Sequence, residues 1–394
     1  MEELDNNVKQ IIKNMSVGKR RYEEKKAKKN GFDSIELYIK DKLKNQEQIK
    51  KRERNKLMLE EIEKELKIKA KGKSTKGISP PQKKIDSLLQ YYQLDLLGEA
   101  ENLALSIIQE FPMHQFSWKV LGAVFQKTGR KCDAVDANIK AVSLSINDAE
   151  SHNNLAVSLQ EVGRLEEAEI SCMEAIDLEH QFADPHYNLG ITLQEMGRVR
   201  EAEVSFKQAI ALDPDYEEAH NNLGIMLQEQ NRLDEAEASF QKVITLAPGL
   251  ADAHYNLGTT FQGLNRLEEA EASYNQAIIL QEDMVDAHYN LGITRQELGR
   301  LEEAELSFQY AIALKPDYAE AHNNLGITLE GLGRLNEAEE SYIRAIGIEG
   351  RFGEAKVGLG RILMLKGKHK EGLEQIRLGN GAIIFNCDNW EVIE

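Results

Sequence analysis

From residue 115 onward, apolar and polar positions recur along the chain with a period of 34 residues. The pair Leu-Gly, once Leu-Ala, falls at Leu121-Gly122, Leu155-Ala156, Leu189-Gly190, Leu223-Gly224, Leu257-Gly258, Leu291-Gly292, Leu325-Gly326 and Leu359-Gly360. With that pair set at positions 7 and 8, units begin at 115, 149, 183, 217, 251, 285, 319 and 353, with no insertion between them. Position 20 is alanine from Ala134 to Ala338, and position 27 is alanine in the same seven units except for Val243. A ring stands at position 24 in Phe206, Phe240, Tyr274, Phe308 and Tyr342, and proline at position 32 in Pro214, Pro248 and Pro316. This spacing predicts two helices of about 14 residues per unit, parted near pairs such as Gly163-Arg164 and Asn231-Arg232.

Each feature has a packing reason. Glycine ends the first helix because it tolerates a left-handed cap. Small residues at positions 8 and 20 let the two helices approach, and the ring at 24 fills the wider part of the gap. Proline at 32 stops the second helix and suits entry to the next. A hairpin of this size buries too little apolar surface to stand alone, so neighbours must stack.

These residues resemble the tetratricopeptide repeat family, and the resemblance covers roughly residues 81–380. It implies an all-α fold: a right-handed superhelical α-solenoid of antiparallel helix pairs, preceded by a basic, mostly helical or disordered N-terminal arm. An earlier, decayed unit begins near 81, where Ala100 and Pro112 land at positions 20 and 32. The last unit carries Gly372 in place of alanine and Ile376 in place of a ring. Both end units read as caps, since one face of each lacks a neighbour. The expected domains are a charged arm over 1–70, a linker over 71–81, the repeats over 82–380 and a tail over 381–394.

Outside the repeats the pattern is weaker. A helix is expected from Asp33 to about Ala70, opened by a capping pattern of Asp33 and Glu36, with Ile35, Ile39 and Leu43 at four-residue steps. Its apolar seam is thin, which fits a solvated helix or weak coiled coil better than a packed domain. Residues Lys71–Pro81 read as a flexible linker from their Gly, Ser, Lys and Pro content. In the tail, Gly379-Asn380-Gly381 signals a turn and Ala382–Phe385 favours an extended strand. That strand either covers the last repeat or begins a domain that this chain lacks.

Charge then separates arm from body. The formal net charge is −17. Residues 1–80 hold 23 of the 49 basic side chains but 14 of the 66 acidic ones, so they carry +9 and the remainder carries −26. No apolar run approaches the ~18–20 residues of a spanning helix. The opening MEELDNNVKQ lacks an apolar core, so no secretory signal is expected. Cys132, Cys172 and Cys387 have no close pair spacing, which argues against a disulfide framework or zinc ribbon. A cytoplasmic setting is the expectation.

Position 6 is asparagine in six units: Asn154, Asn188, Asn222, Asn256, Asn290 and Asn324. By the family resemblance this position lies on the inner face of the first helix. There it is similar to the asparagine ladder with which O-linked N-acetylglucosamine transferases hold an extended peptide by its backbone. The match is physically sound: packed helices lie about 8–10 Å apart, and three residues of extended chain span about 10 Å. A carboxamide offers donor and acceptor alike, so it reads a backbone without reading side chains.

Position 2 is acidic in the same units: Glu150, Asp184, Glu218, Asp252, Asp286 and Glu320. Such acids also suit the first turn of any helix, through the dipole. Position 9 adds Ile191, Ile225, Ile293 and Ile327, and position 13 adds Glu161, Glu195, Glu229 and Glu297. Positions 2, 6, 9 and 13 share one helix face. The expected ligand is therefore an extended segment carrying Lys or Arg and small apolar side chains. Position 5 reads Asn153, Tyr187, Asn221, Tyr255, Tyr289 and Asn323, and positions 2 and 9 hold no basic set. The basic clamp by which some members of the family hold the C-terminal carboxylate of heat-shock chaperones is thus missing. Position 4 holds His152, His186, His220, His254, His288 and His322. Metal ligands must converge within about 2.0–2.1 Å of one ion, which residues one hairpin apart do not do, so packing is the expected role.

The function that follows is a non-catalytic interaction scaffold, with no cofactor, no metal and no small-molecule substrate. The sequence carries no P-loop, GxSxG, HExxH or dinucleotide fingerprint. Two alternatives are a targeting or regulatory subunit for a glycosyltransferase-like or other enzyme, and an RNA- or ribosome-associated factor acting through the arm. The arm lacks aromatic interleaving, which speaks against nucleic acid; any membrane contact would be peripheral and through the arm. Self-association is open. A further expectation places the arm in the acidic groove of its own chain or of a second copy, in competition with ligand.

Overall fold

A computed structural model describes residues 2–15, 17–29, 32–40, separate positions from 42 to 64, 79–380, and the strand residues 384–385 and 392–393. Residues 71–78 of the linker expected over 71–81, residues 65–70 of the expected arm helix and most of the tail lie outside the described residues. Contacts divide the chain into two compact units, Met1–Asp213 and Pro214–Glu394.

The first unit opens with α1 (Glu2–Lys13) and α2 (Val17–Lys29), after which the described residues between 35 and 64 are helical. Here the start of the helix expected from Asp33 packs against the segments before it. Val8, Ile12, Ala27, Ile35, Tyr38 and Ile39 close on one another as a small buried cluster, with Phe32 set edge-on to Tyr38. The thin seam is enough because three segments share it. Four hairpins follow: α3 (Gln82–Gln93) with α4 (Leu97–Glu110), α5 (Gln115–Lys127) with α6 (Lys131–Leu144), α7 (Ala149–Glu161) with α8 (Leu165–Leu178), and α9 (Ala183–Glu195) with α10 (Val199–Leu212).

The second unit holds five: α11 (Glu217–Glu229) with α12 (Leu233–Leu246), α13 (Ala251–Gly263) with α14 (Leu267–Leu280), α15 (Val285–Glu297) with α16 (Leu301–Leu314), α17 (Ala319–Gly331) with α18 (Leu335–Ile348), and α19 (Gly353–Leu365) with α20 (His369–Gly379). Two short strands, β1 (Ile384–Phe385) and β2 (Val392–Ile393), pair antiparallel beyond them. Among the described residues no helix is long and apolar enough to cross a membrane.

The turn inside each hairpin is made as the sequence expects. Gly163 sits at φ +74°, and Asn231 takes the same place at φ +58°; Asn tolerates this region better than most residues with a β-carbon. The core is more specific than a matter of small residues. A β-carbon on Gly190 would lie 2.6 Å from the Phe206 ring, and Gly224, Gly258, Gly292 and Gly326 face the ring at position 24 in the same way. Position 8 is small because the ring lies on it. In the last hairpin, with no ring, the backbones themselves close: a β-carbon on Gly360 would come 2.6 Å from the Gly372 carbonyl.

Ion pairs stitch successive second helices together. Arg198 reaches Glu169 of the preceding hairpin (2.7 Å) and Glu201 of its own (2.5 Å). Arg130 pairs with Glu101, Arg266 with Glu237 and Arg334 with Glu305 in the same manner.

Candidate functional site

Within each unit the first helices of successive hairpins touch: α5 meets α7 and α7 meets α9, and in the second unit the series runs from α11 to α19. The second helices make no comparable contact among the described residues. Each unit is therefore crowded along its first helices and open along its second, so the first-helix face is the inner one. That is the face on which positions 2, 6, 9 and 13 were expected.

The structure places Asn154, Asn222, Asn256, Asn290 and Asn324 half-buried on this face. Asn188 departs from the rest: it is 8% exposed, and its Nδ2 donates to Asn153 Oδ1 at 2.8 Å. The same seam recurs with tyrosine. Asn290 donates to the Tyr255 hydroxyl (3.1 Å) and Asn324 to the Tyr289 hydroxyl (3.0 Å). Position 5 of one hairpin thus orients position 6 of the next. Each carboxamide nitrogen has two hydrogens, so this bond leaves one on Asn324, whereas Asn290 is also within hydrogen-bond reach of the Tyr274 hydroxyl. Burial pushes the Tyr255 and Tyr289 hydroxyls up from their ordinary value, so both stay protonated. Among the described residues the Asn154 and Asn256 carboxamides have no internal partner, although their main-chain carbonyls do.

A second periodic feature escaped sequence reasoning. Gln160 Nε2 donates to the Asn188 carbonyl (2.8 Å) and Thr192 Oγ1 (2.6 Å) of the next hairpin. Gln228 does so to Asn256 (2.9 Å) and Thr260 (2.7 Å), and Gln296 to Asn324 (3.3 Å) and Thr328 (2.8 Å). These clamps hold the main chain of the amide row. The signal was available, because Gln recurs at position 12 and Thr at position 10.

The acidic row is less uniform than expected. Glu150 is bound by Lys119, which also reaches Asp148 at 3.3 Å. Asp184, Glu218, Asp252, Asp286 and Glu320 are exposed and have no cationic partner among the described residues. Of the apolar strip, Ile191, Ile225 and Ile293 are half-buried and Ile327 is exposed. Glu161, Glu195, Glu229 and Glu297 are exposed.

Five of the six histidines at position 4 serve the joints between hairpins. His152 Nε2–H donates to the Ile146 carbonyl (2.9 Å), His220 to Pro214 (3.1 Å), His254 to Pro248 (3.1 Å), His288 to Glu282 (3.0 Å) and His322 to Pro316 (3.0 Å). Trp118 Nε1 makes the same bond to Pro112 (3.0 Å).

Tetratricopeptide repeat profiles match residues 149–181, 187–251, 255–319 and 292–350. No curated protein matches the chain. Among solved structures, the C-terminal part of a TPR repeat-containing protein from Cytophaga hutchinsonii is similar in fold, with TM-score 0.52 at 13% identity over 60% of this chain and 98% of that one. YrrB, described as a TPR protein with an unusual peptide-binding site, gives 0.44 at 24% identity over 47% of this chain and 95% of its own. MamA gives 0.42 at 24% identity over 43% and 92%.

Proposed function

Since this chain is a tetratricopeptide repeat protein, we propose that it is a non-catalytic scaffold whose first-helix face holds an extended, partly basic segment of another protein. The observation that carries this reading is the state of the amide row in the second unit. Among the described residues Asn256 is uncommitted, and Asn324 keeps one N–H beyond the bond that orients it. Unsaturated amides at one place in the repeat suit main-chain recognition. The carboxylates of Asp252, Asp286 and Glu320 beside them, which have no cationic partner among the described residues, favour Lys and Arg, and steer such a segment in from solution. Half-buried Ile293 and exposed Ile327 offer contact to small apolar side chains.

The test is binding of an arrayed library of extended peptides to the full chain, followed by anisotropy on the best binder. Asn256→Ala with Asn324→Ala should weaken it at least about tenfold, roughly 1.4 kcal/mol, with helix content by circular dichroism unchanged. Asp252→Asn with Asp286→Asn should weaken basic peptides and flatten the salt dependence. Equal affinity in all three proteins would discard the reading.

A further inference from the structure

On the outer side of the first unit one hairpin breaks the pattern of the others. Position 21 reads Glu169, Glu203, Glu237, Glu271, Glu305 and Glu339 in the hairpins beginning at 149 through 319, but Val135 in the hairpin beginning at 115. Among the described residues Arg164 therefore forms an ion pair with Glu167 of its own hairpin alone (2.6 Å), where Arg198, Arg266 and Arg334 also grip a carboxylate of the preceding one. An ion pair has been exchanged for an apolar floor. Val135 and Val142 on α6, Leu155 and Leu159 on α7 and Ala168 on α8 form one buried cluster, flanked by Ile139, Ile146 and Val162.

The side chain that completes this cluster comes from far away in sequence. Leu59 is 6% exposed and packs among these residues. A cavity beside it is lined by Ile139, Ile170 and Leu178 and edged by Arg164, Glu167 and Glu174.

We propose that the Val135 face is a docking site for the chain's own basic arm, seated through Leu59, which straps that arm to the outer side of the first unit. The loss of the carboxylate at position 21 is what makes the site: a glutamate there would be paired by Arg164 and would place charge where Leu59 now lies. The strap holds its segment on the second-helix side, away from the amide row, so the arm is docked without competing for that row. This placement is an alternative to the expectation that the arm lies in the acidic groove.

Hydrogen exchange on the full chain tests the strap. Residues 53–64 should be protected in the wild type. Val135→Glu restores the residue that the other hairpins carry and gives Arg164 its missing partner. It should speed exchange of 53–64 by about tenfold or more while the melting temperature holds or rises. Leu59→Ala, which leaves the repeats untouched, should release the same segment. Unprotected residues 53–64 in the wild type, or unchanged exchange in both variants, would overturn the proposal. So would protection that grows with protein concentration, since that would make the occupant a second copy.

Discussion

A β-carbon added to Gly258 would stand 2.7 Å from the ring of Tyr274, well inside van der Waals contact. The ring is fully buried and its hydroxyl donates to Gln262 at 2.9 Å, so it has little room to withdraw.

Gly258→Ala should therefore destabilise the chain by about 1–3 kcal/mol, the usual range for overpacking. The hairpin beginning at 149 shows the escape: there Ala156 takes the glycine position and Cys172 the ring position. Combining Gly258→Ala with Tyr274→Cys should cost less than the two changes added separately, a coupling that urea midpoints of the four proteins would measure.

The clamp of Gln228 across to Asn256 and Thr260 should carry stability of its own. Gln228→Ala removes these bonds but leaves the Asn256 carbonyl served by Thr260, so a loss of about 0.5–1.5 kcal/mol is expected. Circular dichroism should show unchanged helix content with a lower urea midpoint.

Burial holds the His152 imidazole below its ordinary value of 6.5, against the opposing pull of the Ile146 carbonyl. The unfolded chain then takes up this proton at a higher pH than the folded one. Stability from this group is complete above about pH 6.5 and is lost as pH falls from there towards the folded value. His114 and His186 are lowered by burial in the same direction. The urea midpoint should fall between about pH 7.5 and about pH 5.5, and fall less in His152→Gln.

The two described cysteines should react very differently. Cys132 is exposed, whereas Cys172 is buried and burial pushes its thiol far up. A thiol needs access and thiolate character to react. Brief alkylation of the native chain, read by peptide mass spectrometry, should label Cys132 and leave Cys172 intact until denaturant is added.

The hairpins were legible because each is set by neighbours within one period: Gly163 marks a turn, and the ring of Phe240 marks the partner of Gly224. The row of asparagines was legible too, but not its state. Whether an amide is sealed, as Asn188 is by Asn153, or uncommitted, as Asn256 is, depends on a residue 35 positions earlier and on how closely two first helices approach. Charge type at position 2 was readable, yet the neutralisation of Glu150 by Lys119 needed the same approach distance. The arm was hardest. Its few apolar residues gain meaning only when Val8, Ala27 and Ile39 converge, and Leu59 only beside Val135.

Leu59 also bears on how the protein is handled at the bench. A version trimmed to begin at residue 79 would lose Leu59 from the cluster of Val135 and Val142, baring an aliphatic spot on a heavily charged exterior. Such a preparation will turn cloudy or dimerise on concentration more readily than the intact polypeptide, and partners it captures through that spot will be artefacts of trimming.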